Sequence, residues 1–131
     1  MFSAYNPQFI MSKLLDKLPW SAARGRELLE KTAAGRHLDA VLRTRTVWDV
    51  GQWFHDAVVW VGLCDDALLL CAAGRDPLAA SIPRDALRES VYNAVTGELM
   101  LAPAPGAPLG AVALSPVEGE ALAAKLRGKG A

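Results

Sequence analysis

The stretch Ala57–Ala73, AVVWVGLCDDALLLCAA, decides the fold of this chain. Two runs in it, Ala57–Cys64 and Ala67–Ala73, are apolar without a break, and only Asp65-Asp66 separates them. Val and Trp in the first run favour strand over helix. Two short apolar runs around a two-residue polar break predict a β-hairpin, although Asp-Asp lacks the glycine that a tight hairpin turn prefers. A strand in a simple antiparallel sandwich shows one apolar and one polar face. Here Val58, Trp60, Gly62 and Cys64 alternate with Val59, Val61 and Leu63, and both sets are apolar. Leu68 and Leu70 alternate in the same way with Leu69 and Cys71. The hairpin therefore needs cover on both sides, and the second cover has to come from the helical N-terminal part or from another chain.

Downstream, the pattern remains that of a sheet as far as Ala104. Gly74-Arg75-Asp76-Pro77 reads as a loop, Leu78–Ile82 as a short strand closed by Pro83, and Leu87–Val95 as an imperfectly alternating strand. Thr96-Gly97 supplies a turn, Glu98–Ala102 a returning strand, the Pro-rich 103–108 stretch a loop, and Leu109–Leu114 the last strand. Ser115-Pro116-Val117-Glu118 then forms a capping box with proline at the first helical position, which predicts a C-terminal helix with Leu122 and Leu126 one turn apart. Upstream, Asn6-Pro7 opens an amphipathic helix with Ile10, Leu14 and Leu18 on one face and Lys13, Asp16 and Lys17 on the other, ended by Pro19. Ser21 caps a second helix that runs to about Ala34 and stops at Gly35; Gly25 weakens it by about 1 kcal/mol relative to alanine. From about Leu38 to Trp48 the β-branched run favours a strand, and Asp49–His55 is a loop carrying Trp53 and Phe54.

At 131 residues, with 52% apolar and 21% charged residues, the chain fits one ordered domain with a real core. Its formal net charge is zero, so no global attraction to nucleic acid or membrane is expected. The charges are unevenly placed. The first 36 residues carry Lys13, Lys17, Arg24, Arg26, Lys31 and Arg36 against Asp16, Glu27 and Glu30, whereas residues 57–114 are mainly acidic. With Asp65-Asp66 as the turn, Cys71 falls opposite Trp60 and out of register with Cys64, so the two cysteines are expected as buried free thiols suited to a reducing, cytoplasmic compartment. The start lacks a basic region followed by an apolar core, so no secretory signal is read there. No apolar run reaches the roughly 20 residues of a spanning helix.

The order of helices, about seven short strands and one capped C-terminal helix resembles the pleckstrin-homology-like fold, in particular the small bacterial domains of that type. The resemblance rests on Val61-Gly62-Leu63-Cys64-Asp65-Asp66-Ala67-Leu68-Leu69-Leu70, on the following hairpin Leu87–Leu101, and on the closing helix Pro116–Leu126. It covers roughly residues 38–127. It implies two bent sheets packed face to face with the last helix plugging one open end, and a binding or scaffolding role in place of catalysis. The Ala, Leu, Arg and Gly-rich composition is in keeping with a GC-rich bacterial source.

Several constellations bear on chemistry. A phosphate cluster needs converging cations, and on the first two strands only Arg43 and Arg45 qualify. Trp48, Trp53, Phe54 and Trp60 are candidate partner or ligand contacts, since aromatics anchor interfaces; a small-ligand pocket lined by Trp48 and Trp60 is a further option. His55-Asp56 with Asp65-Asp66 shows no metal-ligand spacing. Cys64 and Cys71 sit in apolar strands, where a thiol is inert, so pairing with His37 or His55 as nucleophile and base is not expected. No Gly-rich phosphate loop is present.

The expectation is thus an α+β protein. A PH-like antiparallel barrel or sandwich of about seven strands spans residues 37–131, with a C-terminal capping helix, and residues 1–36 form an N-terminal helical extension. The expected role is a non-catalytic module without cofactor or metal, acting through protein–protein contact or self-association by Trp48, Trp53, Phe54, Ile10, Leu14 and Leu18. The alternative is an anionic-lipid or membrane-surface binder using Arg43, Arg45, Lys13 and Lys17, with Arg24 in support.

Overall fold

A computed structural model describes residues 22–51 and 56–128. Helix α1 (Ala22–Ala33) is followed by strands β1 (Ala40–Trp48), β2 (Ala57–Leu63), β3 (Ala67–Ala72) and β4 (Leu78–Pro83). After a 3₁₀ turn (Arg84–Leu87) come β5 (Val91–Asn93), β6 (Glu98–Met100), β7 (Ala111–Ala113) and helix α2 (Pro116–Leu126). The strands form two antiparallel sheets, a four-stranded one in the order β1-β2-β3-β4 and a three-stranded one in the order β5-β6-β7. The architecture is α+β and the barrel is not closed. The expected helix Asn6–Leu18, with Ile10, Lys13, Leu14, Lys17 and Leu18, lies outside the described residues, as do Trp53, Phe54 and His55.

The β2–β3 hairpin turns at Asp65-Asp66. The Cys64 amide donates to the Ala67 carbonyl at 2.8 Å, Leu63 pairs with Leu68, and Trp60 pairs with Cys71. Period-two alternation then sorts the hairpin into two apolar faces. Val59, Val61, Leu63, Leu68, Leu70 and Ala72 point into the main core, where they meet Leu99 and Val112 of the second sheet and Leu122, Ala123 and Leu126 of α2. Cys64, Ala67, Leu69 and Cys71 point the other way and form a second cluster with Leu29 and Ala33 of α1. All six residues of β3 are buried. Helix α1 covers the outer face within the same chain, packing chiefly on β2 and β3.

Two glycines permit that close approach. A methyl group placed on Gly25 would come within 2.5 Å of Trp60 Cδ1, so the indole lies flush against the first turns of α1. A methyl group on Gly62 would meet Leu29 Cδ1 at 2.9 Å and Leu38 Cδ2 at 3.1 Å. Each element thus offers a glycine to the other's large side chain. The cost that Gly25 imposes on helix propensity is offset by tertiary contact. At the other end of α1, Ala34 and Gly35 take positive φ values of 54° and 83°. The Arg36 side chain donates to the Ala33 and Thr32 carbonyls, satisfying the frayed end.

Strand β1 makes the corner between the sheets. It pairs with β2 from Ala40 to Arg43, shifts register, and pairs again at Val47 and Trp48. Within the irregular stretch Thr44 donates to the Val59 carbonyl at 2.8 Å and accepts from the Thr46 amide. Thr46 Oγ1 accepts from the Ala113 amide of β7 at 2.8 Å. The bulge therefore bends β1 toward the second sheet. Pro77 and Pro83 bracket β4, the outer strand of the larger sheet, and withhold donors that a stray strand would use.

The second half departs from expectation in extent. The anticipated strand Leu87–Val95 is strand only at Val91–Asn93, because its first part is drawn into the 3₁₀ turn that buries Leu87. Ser90, also buried, accepts from the Ala102 amide at 2.8 Å. The β5–β6 turn starts earlier than Thr96: Asn93 Oδ1 accepts from the Val95 amide at 2.9 Å, and the Gly97 amide returns to the Asn93 carbonyl. Helix α2 begins where the capping signature places it, with Ser115 Oγ accepting from the Glu118 amide at 3.3 Å.

Helix propensity alone makes Gly25→Ala stabilising by about 1 kcal/mol. We expect the opposite, a loss of about 1–2 kcal/mol in urea unfolding, because the methyl group overpacks Trp60. In a Trp60→Ala background the same substitution should recover its helix gain. Equal effects in the two backgrounds would refute the contact.

Candidate functional site

The aromatic residues do not converge. Trp48 pairs with Ala57 and packs half-buried on the main core, while Trp60 pairs with Arg43 and lies on the opposite face of the sheet beneath α1. A pocket lined by Trp48 and Trp60 is therefore ruled out: Trp60 lies three positions along β2 from Ala57, an odd offset, so the two indoles take opposite sides. The Trp60 Nε1 atom is shielded from solvent and has no hydrogen-bond partner.

Arg43 and Arg45 do not form a convergent cationic pair. Arg43 is exposed and has no partner among the described residues. Arg45 Nη2 donates to the Leu114 carbonyl at 3.2 Å and lies 3.4 Å from the Gly97 carbonyl. Its charge is spent tying β1 to the ends of β6 and β7.

Charged groups also gather around the β2–β3 turn. Arg36, His37, Asp65 and Asp66 line a shallow open recess there. They are largely paired off: Arg36 with Asp66 at 3.2 Å and His37 with Asp39 at 3.3 Å. Arg84 lies 3.5 Å from Asp39 and donates to the Cys64 and Lys125 carbonyls at 3.0 and 2.9 Å. That joins the turn, the entry to β1 and the end of α2. No group of three or more His, Cys, Asp or Glu suited to a metal ion occurs among the described residues.

Cys64 and Cys71 are buried free thiols. Burial pushes both thiols above the ordinary range. Nearby Arg36 opposes the shift at Cys64, and at Cys71 the opposition comes from a 3.5 Å contact with the Thr32 hydroxyl. Shielded and protonated, neither has the thiolate character of a nucleophile.

The feature that sequence reasoning passed over lies on the three-stranded sheet. Val91, Met100 and Ala111 sit directly across from one another on β5, β6 and β7. Their neighbours Tyr92, Leu99 and Val112 face the core, so this row faces solvent. Val91 is 53% and Met100 38% exposed. Val95, 94% exposed, stands in the turn between β5 and β6. The available signal was Met100, apolar on the face opposite Leu99 and Leu101, although Glu98 shares that face.

No family model, curated protein or solved structure matches the chain. No helix among the described residues is long and apolar enough to cross a membrane.

The raised thiol pKa values give a pH dependence with a definite sign. The folded thiols hold their protons more tightly than unfolded ones. The stability this contributes is full below the ordinary thiol pKa and is lost as pH rises above roughly 8.5. The melting temperature should therefore fall more steeply between about pH 8 and about pH 10 in the native protein than in a Cys64→Ala/Cys71→Ala variant. Coincident slopes would show that the thiols ionise without hindrance in the folded state.

Proposed function

We propose that this chain is a non-catalytic binding module of pleckstrin-homology-like organisation that acts through protein–protein contact, in the first instance with a second copy of itself. The observation that carries this reading is the solvent-facing apolar row Val91–Met100–Ala111. An aligned apolar row on the outer face of a sheet is the kind of surface that marks an interaction site. A methionine at its centre adapts to an irregular partner. The organisation is supported by seven strands divided four and three, and by a C-terminal helix packed on β5, β6 and the 3₁₀ turn. A reducing cytoplasmic setting accords with two buried free thiols.

The anionic-lipid alternative draws less support. Of its two strand cations, Arg45 already donates to backbone carbonyls, and Arg43 by itself does not make a phosphate cradle.

Light scattering over a concentration series tests the proposal. The native protein should rise above its 14.0 kDa monomer mass as concentration increases. A Val91→Glu/Met100→Glu variant should stay monomeric with an unchanged melting temperature, since both side chains are exposed. A native protein that remains monomeric throughout, or a variant that associates equally well, would defeat it.

A further inference from the structure

The described residues hold three sulfur atoms, and the fold treats them differently. Cys64 and Cys71 are fully buried free thiols. Met100 is 38% exposed on the outer face of the three-stranded sheet. Oxidation of sulfur follows its accessibility and, for a thiol, its thiolate character as well. The two cysteines have neither. A thioether has no proton to lose, so its lone pairs are nucleophilic at any ordinary pH. Met100 is therefore the described sulfur that a dissolved oxidant meets.

Its position gives that oxidation a consequence. Met100 stands in the middle of the row, with Val91 across from it on β5 and Ala111 on β7. Neither of those side chains carries a hydrogen-bonding group. The layer beneath, Tyr92, Leu99 and Val112, faces the core on the opposite side of the sheet.

Sulfoxidation turns a flexible apolar side chain into a polar one bearing a strong acceptor. On an open surface water satisfies that oxygen, and the fold is hardly affected. Against a second copy of the row the same oxygen would be buried among valine, methionine and alanine side chains, where no donor meets it. The modification therefore acts on association and leaves folding alone.

We propose that Met100 is a modification site: a hydroperoxide oxidises its thioether to the sulfoxide, and the sulfoxide releases the self-associated form. The release rests on the reading of the row as a self-association surface. In the oxidation the sulfur lone pair takes the terminal oxygen of the peroxide. An S–O bond forms and the O–O bond breaks. The departing oxygen takes up the proton, leaving as water when the oxidant is hydrogen peroxide. Sulfur loses two electrons and the peroxide gains them. Two thiols reverse the step, removing the oxygen as water and ending as a disulfide. Association and oxidation compete for the same sulfur, so association protects Met100 to the extent that oxidation opposes association.

Hydrogen peroxide treatment of the full chain, read by peptide mass spectrometry and light scattering, tests it. Met100 should gain one oxygen while Cys64 and Cys71 stay unmodified. The dissociation constant should rise about tenfold or more, as expected for burying an unpaired acceptor. The melting temperature of the oxidised monomer should be unchanged, and a methionine sulfoxide reductase with dithiothreitol should restore association. Met100→Leu keeps an apolar side chain of similar size without the sulfur. It should associate equally before and after peroxide, which separates Met100 from Met1 and Met11. Association that survives complete oxidation of Met100 would overturn the proposal. So would peroxide-driven dissociation of Met100→Leu, or a Met100 that stays unoxidised in the dilute monomer. A native protein already monomeric before peroxide is added defeats the self-association reading itself and the release with it, so the untreated sample tells the two failures apart.

Discussion

A β-hairpin with no polar face dominates this protein. β2 and β3 place apolar side chains on both sides, and water on either side would expose a surface the chain has no other means to hide. One side is met by the second sheet and α2. The other is met by α1, whose Leu29 and Ala33 close over Leu69, Cys64 and Cys71. The contact is close enough to need glycine from both partners, Gly25 over the Trp60 ring and Gly62 beneath Leu29. α1 is therefore a layer of the domain.

The polar side chains that look available for binding serve this construction. Arg45 donates to the Leu114 carbonyl, and the Tyr92 hydroxyl donates to the same oxygen at 2.9 Å. Arg84 reaches carbonyls on the β2–β3 turn and on α2. These bonds satisfy main-chain acceptors where the sheets and α2 meet, at positions no ladder partner serves. Gly119 of α2 makes the same kind of allowance, since any side chain there would run into the Tyr92 ring. Arg45 and Arg84 thus act as ties between elements. Among the described residues, Val91 and Met100 form an apolar row with nothing over it.

Strands β2 and β3 are apolar in both phases and so demand two covers, whereas in β5 and β6 the outer phase sets Val91 and Met100 beside Asn93 and Glu98. The hairpin obtains both. The three-stranded sheet, packed on the core through Tyr92, Leu99 and Val112, has no layer over Val91 and Met100 among the described residues.

The sequence alone determined the elements whose signals are local: the hairpin at Asp65-Asp66, the register that sets Cys71 against Trp60, the stop at Gly35, and the cap at Ser115. It also required a second cover on the hairpin. Other features depended on residues far apart in the chain. The two sides taken by Trp48 and Trp60 follow from a register that only strand pairing fixes. The shortening of Leu87–Val95 follows from burial of Leu87, and the internal use of Arg45 from carbonyls some 50 to 70 positions away. A glycine that looks like a flaw in an isolated helix becomes a fitting surface once a tryptophan lies beneath it. Local pattern fixes which residues must be hidden or turned; the folded chain decides what hides them, because that depends on which distant side chains fit the same space.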